Sequence, residues 1–296
     1  MAKYTPYHPV IFRIVASVIV IAPIVGTAVA IGLLWQRAVH WPDLALFAIM
    51  YSLVMLGVTV GFHRMLSHCS FRPHPLVKAT LLVLGSMAGQ GGALEWAATH
   101  RKHHRRADGV GDPHSPVEGL AHAHIGWLFK NGMANPNIYC RHLLQDRMVV
   151  FISYTFAVWV VLGLLVPFLI AGWTGLLWGG LVRMFLVNHV IWSVNSIGHA
   201  FGRRDFETRD ESHNVLFLGL LGFGEGWHNN HHAFPRSAFH GLRRWQLDLS
   251  GCFISILERL GLARDVCRVS PAMLARYSSG SVSVDAAARL LVPSRR

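Results

Sequence analysis

Histidine is the residue whose number and spacing dominate this chain, with 19 among 296 residues. Three clusters have the spacing of metal ligands: His63 and His68 (HxxxxH), His100, His103 and His104 (HxxHH), and His228, His231 and His232 (HxxHH). On a regular helix, residues spaced i, i+3 and i+4 share one face, so three imidazoles converge. Residues five apart lie about 140° apart. We therefore expect His63 in the last turn of a helix and His68 just past its end.

The neighbours of these histidines narrow the kind of metal site. The zinc-protease motif HExxH needs a glutamate beside its first histidine, but Arg64, Arg101 and Asn229 stand there. The four cysteines are scattered without a CxxC pair, so a thiolate site is not indicated. The box histidines are too many for one metal ion. Imidazole suits iron, and a pair of irons could activate dioxygen.

Further motifs surround the three boxes: Glu95-Trp96, Asp112-Pro113-His114, His124-Ile125-Gly126-Trp127-Leu128, Asn195-Ser196-Ile197-Gly198-His199 and Gly224-Glu225-Gly226-Trp227. With them the sequence resembles the membrane-bound fatty acid desaturases from about residue 44 to residue 262. It is most similar to the acyl-CoA Δ9 (stearoyl-CoA-type) branch, in a bacterial-like form without a fused cytochrome b5. The resemblance implies an all-α integral membrane protein with about four transmembrane helices. A cytosolic helical cap would hold a histidine-ligated di-iron centre.

The resemblance also implies the ligands and cofactors, which are two Fe²⁺ ions and O2. Nine histidines would bind iron: His63, His68, His100, His103, His104, His199, His228, His231 and His232. Asn195 would reach an iron through water, and its i, i+4 spacing from His199 puts both on one helix face. Other histidines, among them His122, His142 and His240, are expected to be surface or packing residues.

Carboxylates near the boxes are expected to accept the other ring N–H of the ligand histidines and so fix their tautomers. The candidates are Glu95, Asp112 and Glu225, with Asp108 as a further one.

The resemblance assigns substrate residues as well. Gln90 and Trp96 would set the bend of an acyl tunnel, with Ile191 where the relatives have a threonine. Arg101 and Lys102, together with Lys130, would face the CoA.

The preferred length of the acyl substrate is predicted from the helix that carries His63. Met55 lies eight residues before His63, about 12 Å along a helix, and Tyr51 lies one turn further on the same face. In the stearoyl-type relatives the residue aligned with Met55 is small. We therefore expect Met55 to shorten the tunnel and to favour palmitoyl over stearoyl chains.

Long apolar runs must position these residues. The chain is 52% hydrophobic and only 14% charged, and its mean hydropathy is +0.38. Spans of bilayer length are predicted at 11–35, 44–62, 148–173 and 175–200. Residues 75–96 are ambiguous and are read as a helix in the interface or buried in protein. One domain would cover 1–276, with a cytosolic cap at 63–147 and 201–276 and a flexible tail at 277–296.

The distribution of lysine and arginine predicts the orientation of the chain in the membrane. Of 27 Lys and Arg, ten lie in 63–147 and thirteen lie after residue 200. The positive-inside rule then places both termini and the active site on the cytoplasmic side, in a cell membrane of bacterial type. Nucleic-acid binding is not indicated, because no basic stripe with interleaved aromatic residues stands clear of the spans.

The predicted function is O2-dependent introduction of a cis double bond, at Δ9, into saturated palmitoyl- or stearoyl-CoA. No electron source is encoded, so a separate donor, ferredoxin-like or a flavin reductase, must dock on the cytoplasmic face. A histidine-box hydroxylase or monooxygenase and an acyl-lipid desaturase are the alternatives. From a different class, a metal-binding transporter or receptor would need polar residues along the spans, where only Asn188, His189 and Asn195 come near.

Overall fold

The computed structural model describes residues 4–5, 9–35, 39–130 and 132–278, and its regular structure is almost entirely helical. In chain order the α-helices of these residues are α1 (Pro9–Trp35), α2 (Trp41–Leu56), α3 (Pro75–Ser86), α4 (Ala93–Arg106), α5 (Trp127–Lys130), α6 (Pro136–Tyr139), α7 (Arg147–Tyr154), α8 (Phe156–Gly175), α9 (Arg183–Ser196), α10 (Leu216–Leu221), α11 (His228–Ala233), α12 (Leu249–Arg259) and α13 (Pro271–Ser278). Segments of π-helix lie at Gly57–Ser67, His122–Gly126 and Leu176–Val182, and 3₁₀ turns at Pro116–Glu118, Arg141–Gln145 and Ile197–His199. The predicted helical fold is confirmed.

Two short strands accompany the helices. Strand β1 (Arg72–Pro73) pairs antiparallel with β2 (Ala263–Arg264). Of the tail expected at 277–296, Tyr277 and Ser278 end α13, and residues 279–296 lie outside the described residues.

Three stretches among the described residues are apolar and long enough to cross a membrane: Val10–Leu34, Trp41–Ser67 and Phe156–His199. As one straight helix, the 44 residues of the third would extend about 66 Å, twice the roughly 30 Å of a bilayer core. However, the backbone leaves the helical conformation at Ala171 and Gly172, where Gly172 adopts a φ of 60°. The stretch therefore divides into two arms, a first arm before Ala171 and a second arm after Gly172. A Cβ on Gly179 would lie 2.8 Å from Cβ of Pro167, so the two arms pack side by side.

The first of these arms is shorter than the predicted span at 148–173. Helix α7 ends at Tyr154, Thr155 has non-helical backbone angles, and α8 begins at Phe156. The Thr155 hydroxyl donates to the carbonyl of Phe151 at 2.7 Å. The backbone N–H of Thr155 donates to the same carbonyl at 3.0 Å, and hydroxyls that bond the preceding turn in this way often lie where helices bend.

The helix that carries the first histidine box changes its hydrogen bonding before it reaches the box. From Gly57 to Ser67 it is a π-helix, and the N–H of His68 donates to the carbonyl of His63 at 3.2 Å. In a π-helix the bonds run from i to i+5, so residues five apart lie on successive turns. The helix ends at Ser67 and His68 caps it, as expected, but its last turns are π-helical and not the regular α-helix that the spacing argument assumed. The widened turns bring the two histidine rings to a centroid distance of 5.0 Å.

The ambiguous segment 75–96 forms a helical hairpin rather than one helix. Helix α3 ends at Ser86, a turn with positive φ at Gly89 and Gly91 follows, and α4 begins at Ala93. A Cβ on Gly57 would lie 2.2 Å from the backbone nitrogen of Gly85. Helix α3 therefore packs directly against the π-helical segment.

Arg183 is a buried charge in the second arm that the sequence analysis overlooked. Its side chain is fully buried and donates to three carbonyl oxygens: Nε to Gly179 at 3.1 Å, Nη1 to Met87 at 2.7 Å and Nη2 to Gly163 at 2.7 Å. The guanidinium thus ties the last long helix to α8 and to the end of α3.

Candidate metal centre

Five of the predicted ligands converge in one group, called here the five-histidine group: His63, His68, His100, His104 and His231. Their ligand atoms all lie within 4.8 Å of one another. Nε2 of His63 lies 3.0 Å from Nε2 of His231, and Nε2 of His68 lies 2.7 Å from Nε2 of His100. Nε2 of His104 lies 3.0 Å from that of His100 and 2.9 Å from that of His231.

The other four predicted histidines form a second group, the four-histidine group: His103, His199, His228 and His232. Nε2 of His228 lies 2.9 Å from Nε2 of His199 and 3.1 Å from Nε2 of His232. Nε2 of His103 lies 3.4 Å from Nε2 of His232. All nine expected histidines are thus brought together, in two adjacent groups.

Each HxxHH box contributes to both groups. In α4 the first and last histidines of the box join the five-histidine group and the middle one joins the other. In α11 the assignment is reversed, since His231 alone joins the five-histidine group. One face of each short helix therefore bridges the two positions.

Four ligand histidines also contact a carboxylate through Nδ1. Nδ1 of His63 contacts Oε2 of Glu225, and Nδ1 of His103 lies 3.0 Å from Oδ1 of Asp112. Nδ1 of His199 lies 2.8 Å from Oδ2 of Asp108. The fourth contact joins His232 and Asp210.

Asp210 was not foreseen. Its Oδ2 lies 2.8 Å from Nδ1 of His232. It lies 18 residues before the third box, outside every motif noted above, so only the fold reveals it. Burial opposes its ionisation, but His232 and Ser212 outweigh that effect and lower the pKa of the Asp210 carboxyl below its ordinary value.

This arrangement suits metal ions. An imidazole that donates its Nδ1–H presents a lone pair at Nε2. Lone pairs facing each other at these distances repel unless a cation lies between them. A metal bound at about 2.1 Å from each nitrogen separates ligands at right angles by about 3 Å, which matches the observed Nε2 separations. Both groups therefore have the donor set and spacing of a histidine-ligated metal site.

The protonation of the ligands agrees with that use. Burial, and then repulsion among neighbouring imidazoles, lowers the pKa of six of them well below the ordinary value: His68, His100, His103, His104, His228 and His231. They are therefore neutral near pH 7, the form that binds a metal.

Glu95 lies away from the box histidines. It is 3% exposed, and its carboxyl interacts with the backbone of Gly92 and with Tyr4. Burial raises the pKa of Glu95 to about 7. None of the hydrogen bonds among the described residues joins its carboxylate to a histidine. The structure therefore contradicts its expected place as a partner of a metal ligand, because its side chain lines the neighbouring cavity instead.

Two histidines outside the expected ligand set are also buried at the centre. The ring of His240 lies 4.4 Å from that of His231, and its Nδ1 lies 3.6 Å from Oε1 of Glu225. His114 lies 4.4 Å from the ring of His103. The sequence grouped His240 with the surface or packing histidines, whereas His114 stood in the Asp112-Pro113-His114 motif after the second box.

A cavity of about 250 Å³ adjoins the metal centre. Among the residues that line it are His100, Asn195, Gln90, Trp96, Ile191, Ile19 and Ala157. The indole of Trp96 stacks on His100 with the ring centroids 5.2 Å apart. The cavity is thus mostly apolar and reaches a ligand of the five-histidine group.

Trp96 and Gln90 form part of one hydrogen-bonded chain in the cavity wall. Nε1 of Trp96 donates to Oε1 of Gln90 at 2.9 Å, and Nε2 of Gln90 donates to Oδ1 of Asn188 at 3.0 Å. Asn188 lies one helical turn before Ile191, which stands where the relatives have a threonine. The polar partner of Gln90 therefore comes from Asn188 on the same helix.

Comparison with known proteins decides the family. The family model described as fatty acid desaturase matches residues 39–252, which include all three boxes and His199. The chain belongs to the fatty acid desaturase family.

Relatives of this desaturase-family chain differ in their named substrates. It is 42% identical over 267 residues to the hex-5-enoyl-[acyl-carrier protein] acetylenase of Moorena producens, covering 83% of each chain. It is 40% identical to the sn-1 stearoyl-lipid 9-desaturase of Anabaena variabilis, covering 71% of this chain and 78% of the relative. It is also 40% identical to the acyl-CoA C20 Delta5-desaturase of Anemone leveillei, covering 76% and 73%. Similar identities therefore occur with three kinds of acyl carrier.

The cations expected to face CoA are partly engaged within the protein. Nη2 of Arg101 donates to the carbonyl of Leu66 at 3.3 Å, and Nζ of Lys130 donates to Oε2 of Glu118 at 2.5 Å. Among the described residues, Lys102 of α4 is the one member of this set without a hydrogen bond or ion pair.

Met55 and Tyr51 lie behind the cavity wall. Met55 is fully buried in a cluster that also holds Ile191 and packs against Trp96. The hydroxyl of Tyr51 donates to the carbonyl of Leu221 at 2.7 Å. Neither residue is among the described residues that line the cavity.

Proposed function

We propose that this chain is an O2-dependent fatty acyl desaturase that introduces one cis double bond, at Δ9, into a saturated C16 or C18 acyl chain. The observation that carries the proposal is the apolar cavity whose wall holds both His100 of the metal centre and the Trp96–Gln90 pair. An acyl chain in this cavity would pass beside His100, with a defined carbon next to the metal centre.

The proposed cofactors are two iron ions, one in each histidine group, with Asn195 reaching one of them through water. Their convergent neutral imidazoles support this assignment. When bound, the iron pair supplies the oxidant made from O2 that removal of hydrogen from an unactivated chain requires. In the overall reaction the chain loses two hydrogens, and O2 becomes two waters with two electrons and two protons from the donor.

The contribution of the protein is to position the chain and to exclude water. The stack of Trp96 on His100 places the cavity wall beside a ligand. The bond from Trp96 to Gln90 fixes the indole orientation, and Asn188 fixes Gln90 in turn. Apolar walls keep water from the oxidant, so that it reacts with the carbons held next to it.

The proposed membrane arrangement has four spans: α1, α2 with its π-helical end, and the two arms that meet at Gly172. The reversal at Ala171 and Gly172 supports the separation of the arms. With ten Lys and Arg in 63–147 and thirteen after residue 200, the cap, both termini and the metal centre are proposed to face the cytoplasm. The same basic surface would attract an acidic electron donor, ferredoxin-like or a flavin reductase.

For the acyl carrier we retain CoA as the proposal, with Lys102 as the cation available to a phosphate. The acyl-lipid and acyl-carrier-protein forms are the competing substrates, since relatives with those names are equally similar.

The test is expression in a host that has a suitable reductase, followed by fatty-acid methyl ester analysis. A new monounsaturated C16 or C18 ester with its double bond at C9 supports the proposal. An alcohol identifies a hydroxylase, and a triple bond formed from an existing alkene identifies an acetylenase. Metal analysis of the purified chain should give two irons, whereas one zinc would favour the transporter or receptor alternative. Supplying palmitoyl-CoA, palmitoyl-acyl-carrier protein or a palmitoyl lipid to the purified protein then identifies the carrier.

A further inference from the structure

The two histidine groups differ in the charges that surround them. In the four-histidine group, three of four histidines contact an aspartate through Nδ1: His103 with Asp112, His199 with Asp108 and His232 with Asp210. In the five-histidine group, His63 alone contacts a carboxylate through Nδ1 among the described residues, and this carboxylate belongs to Glu225. The asymmetry is not visible in the box motifs, because each HxxHH box serves both groups.

Among the described residues, the three aspartates have no lysine or arginine as an ion-pair partner. Their other contacts are neutral donors: Asp108 accepts from the backbone of Glu211 at 2.8 Å, Asp112 from the backbone of Asp108 at 2.8 Å, and Asp210 from the backbone of Ser212 at 3.0 Å. Their side chains are at most 11% exposed. No salt bridge of the described residues joins any of the three to Lys or Arg, so solvent and side chains screen them little.

Glu225 shares one arginine with Asp248. Nη2 of Arg64 donates to Oε1 of Glu225 at 3.2 Å, and Nη1 donates to Oδ1 of Asp248 at 2.9 Å. Arg64 is fully buried, so its charge acts at close range and without screening by water. Glu225, Asp248 and Arg64 together therefore carry one formal net negative charge, against three for the aspartates of the four-histidine group.

Such a difference changes the redox properties of bound iron. A carboxylate bonded to the N–H of a ligand imidazole makes that imidazole a stronger donor, and negative charge nearby stabilises Fe³⁺ over Fe²⁺. We infer that Asp108, Asp112 and Asp210 make the four-histidine group the position of lower reduction potential. Iron bound by His103, His199, His228 and His232 would therefore be the first of the two to be oxidised. This inference rests on the proposed di-iron centre.

The experiment is a redox titration of the full chain loaded with ⁵⁷Fe²⁺ and read by Mössbauer spectroscopy. Ferricenium is the one-electron oxidant: each equivalent takes one electron from one Fe²⁺ and is reduced to ferrocene. The parent should show two midpoints, with one Fe³⁺ per chain between them.

Asp210→Asn removes the charge but keeps an acceptor for His232, so it should raise the lower midpoint. Glu225→Gln should raise the higher midpoint and leave the lower one in place. Asp265→Asn, an exposed aspartate paired with Arg72, is the control that should move neither.

The outcomes separate this inference from the proposed function. If the parent fails to bind two irons or to form an alkene, the proposed function fails. If it does both but oxidises at one midpoint, the inference is overturned. It is also overturned if Glu225→Gln shifts the lower midpoint and Asp210→Asn does not. Should Asp210→Asn bind only one iron, that iron must show the higher midpoint of the parent. If that iron instead shows the lower midpoint of the parent, the assignment of the lower potential to the four-histidine group is overturned.

Discussion

The indole Nε1 of Trp96 donates to Oε1 of Gln90 at 2.9 Å, and both side chains line the cavity that adjoins the metal centre. This bond joins the turn between α3 and α4 to the first turn of α4, and the Gln90 amide is held in turn by Asn188. The height of the indole relative to His100 therefore depends on a chain of three polar side chains in an otherwise apolar wall.

Gln90→Leu should scatter the double bond over neighbouring carbons, because the Trp96 indole loses its acceptor and a buried Asn188 loses its partner. An unpaired buried polar group costs about 1–3 kcal/mol, which is enough to release the indole from one orientation. The product is read as positional isomers by mass spectrometry of derivatised esters. Gln145→Leu, at an exposed position, is the matched control. A single-position product from Gln90→Leu, with iron content unchanged, would remove this pair from the control of bond position.

The ninth ligand is tested by His199→Ala. Its Nε2 lies 2.9 Å from that of His228, so its loss should reduce the iron content below two per chain and abolish double-bond formation. His142→Ala, at an exposed histidine of the cap, should retain both. Iron analysis and ester analysis are made on the same preparations. Full iron and activity in His199→Ala would show that this histidine is not a ligand.

The histidine spacing predicted much of this centre, because local helical periodicity fixes which side chains share a face. It correctly placed the imidazoles of His100, His103 and His104 on one side of α4. It did not reveal that His103 turns to a different group from its neighbours, since that depends on how α4 and α11 are oriented against each other. The approach of Asp210 to His232 is likewise tertiary, because the loop that carries Asp210 is held by a bond from the backbone of Glu211 to Asp108.

The π-helical segment shows a second limit of sequence reading. Regular α-helical geometry put His63 and His68 on different faces and predicted a helix end between them; the helix does end at Ser67, but in π-helical turns that the sequence did not predict. The segment with i→i+5 bonds is also where α3 packs on Gly57 and Gly61, with backbone against backbone. Residue type alone did not signal this shift, and the overlooked Arg183 shows that even a charge can be missed in an apolar run.

Glu95 predicts a pH dependence of stability. Its carboxyl has a pKa of about 7 in the folded chain and an ordinary value of 4.5 when exposed. Between these values the folded state holds a proton that the unfolded state has lost, so stability falls as the pH rises from 4.5 to 7. Glu95→Gln removes this loss, which amounts to at most about 3 kcal/mol. The variant should therefore unfold at a higher temperature than the parent at pH 8 and at nearly the same temperature at pH 5.

The measurement is a thermal unfolding scan in detergent at several pH values, followed by tryptophan fluorescence. Asp265→Asn, at an exposed carboxylate, should leave the difference from the parent independent of pH. An equal shift of Glu95→Gln at pH 5 and pH 8 would show that Glu95 is ionised in the folded chain at both.

Arg183→Met should destabilise the packing of the last long helix. The substitution fills a similar volume but leaves the carbonyls of Met87 and Gly163 without their donor. Each unsatisfied buried acceptor costs about 1–3 kcal/mol, and relief of the buried charge offsets part of that cost. A lower unfolding temperature than that of Arg203→Met, whose parent side chain is exposed, checks the expectation. Unchanged unfolding in Arg183→Met would mean that the charge is as costly as its three bonds are favourable.

The preferred length of the acyl substrate can be tested at Met55. Met55 is fully buried in the cluster that includes Ile191 and contacts Trp96, and these two side chains form the cavity wall in front of it. Shortening Met55 to alanine removes a flexible side chain directly behind that wall and should let the cavity extend toward α2. We therefore expect the parent to prefer C16 over C18 chains and Met55→Ala to shift the preference toward C18.

Met50→Ala is the matched control, because Met50 is buried on the same helix but lies outside this cluster. Both substitutions cost about 2–5 kcal/mol of stability, so a general loss of packing affects them alike. Competition between C16 and C18 substrates measures the preference in all three proteins. The same ratio in Met55→Ala as in the parent would show that the acyl tail ends elsewhere, along the α1 and α8 side chains Ile19 and Ala157.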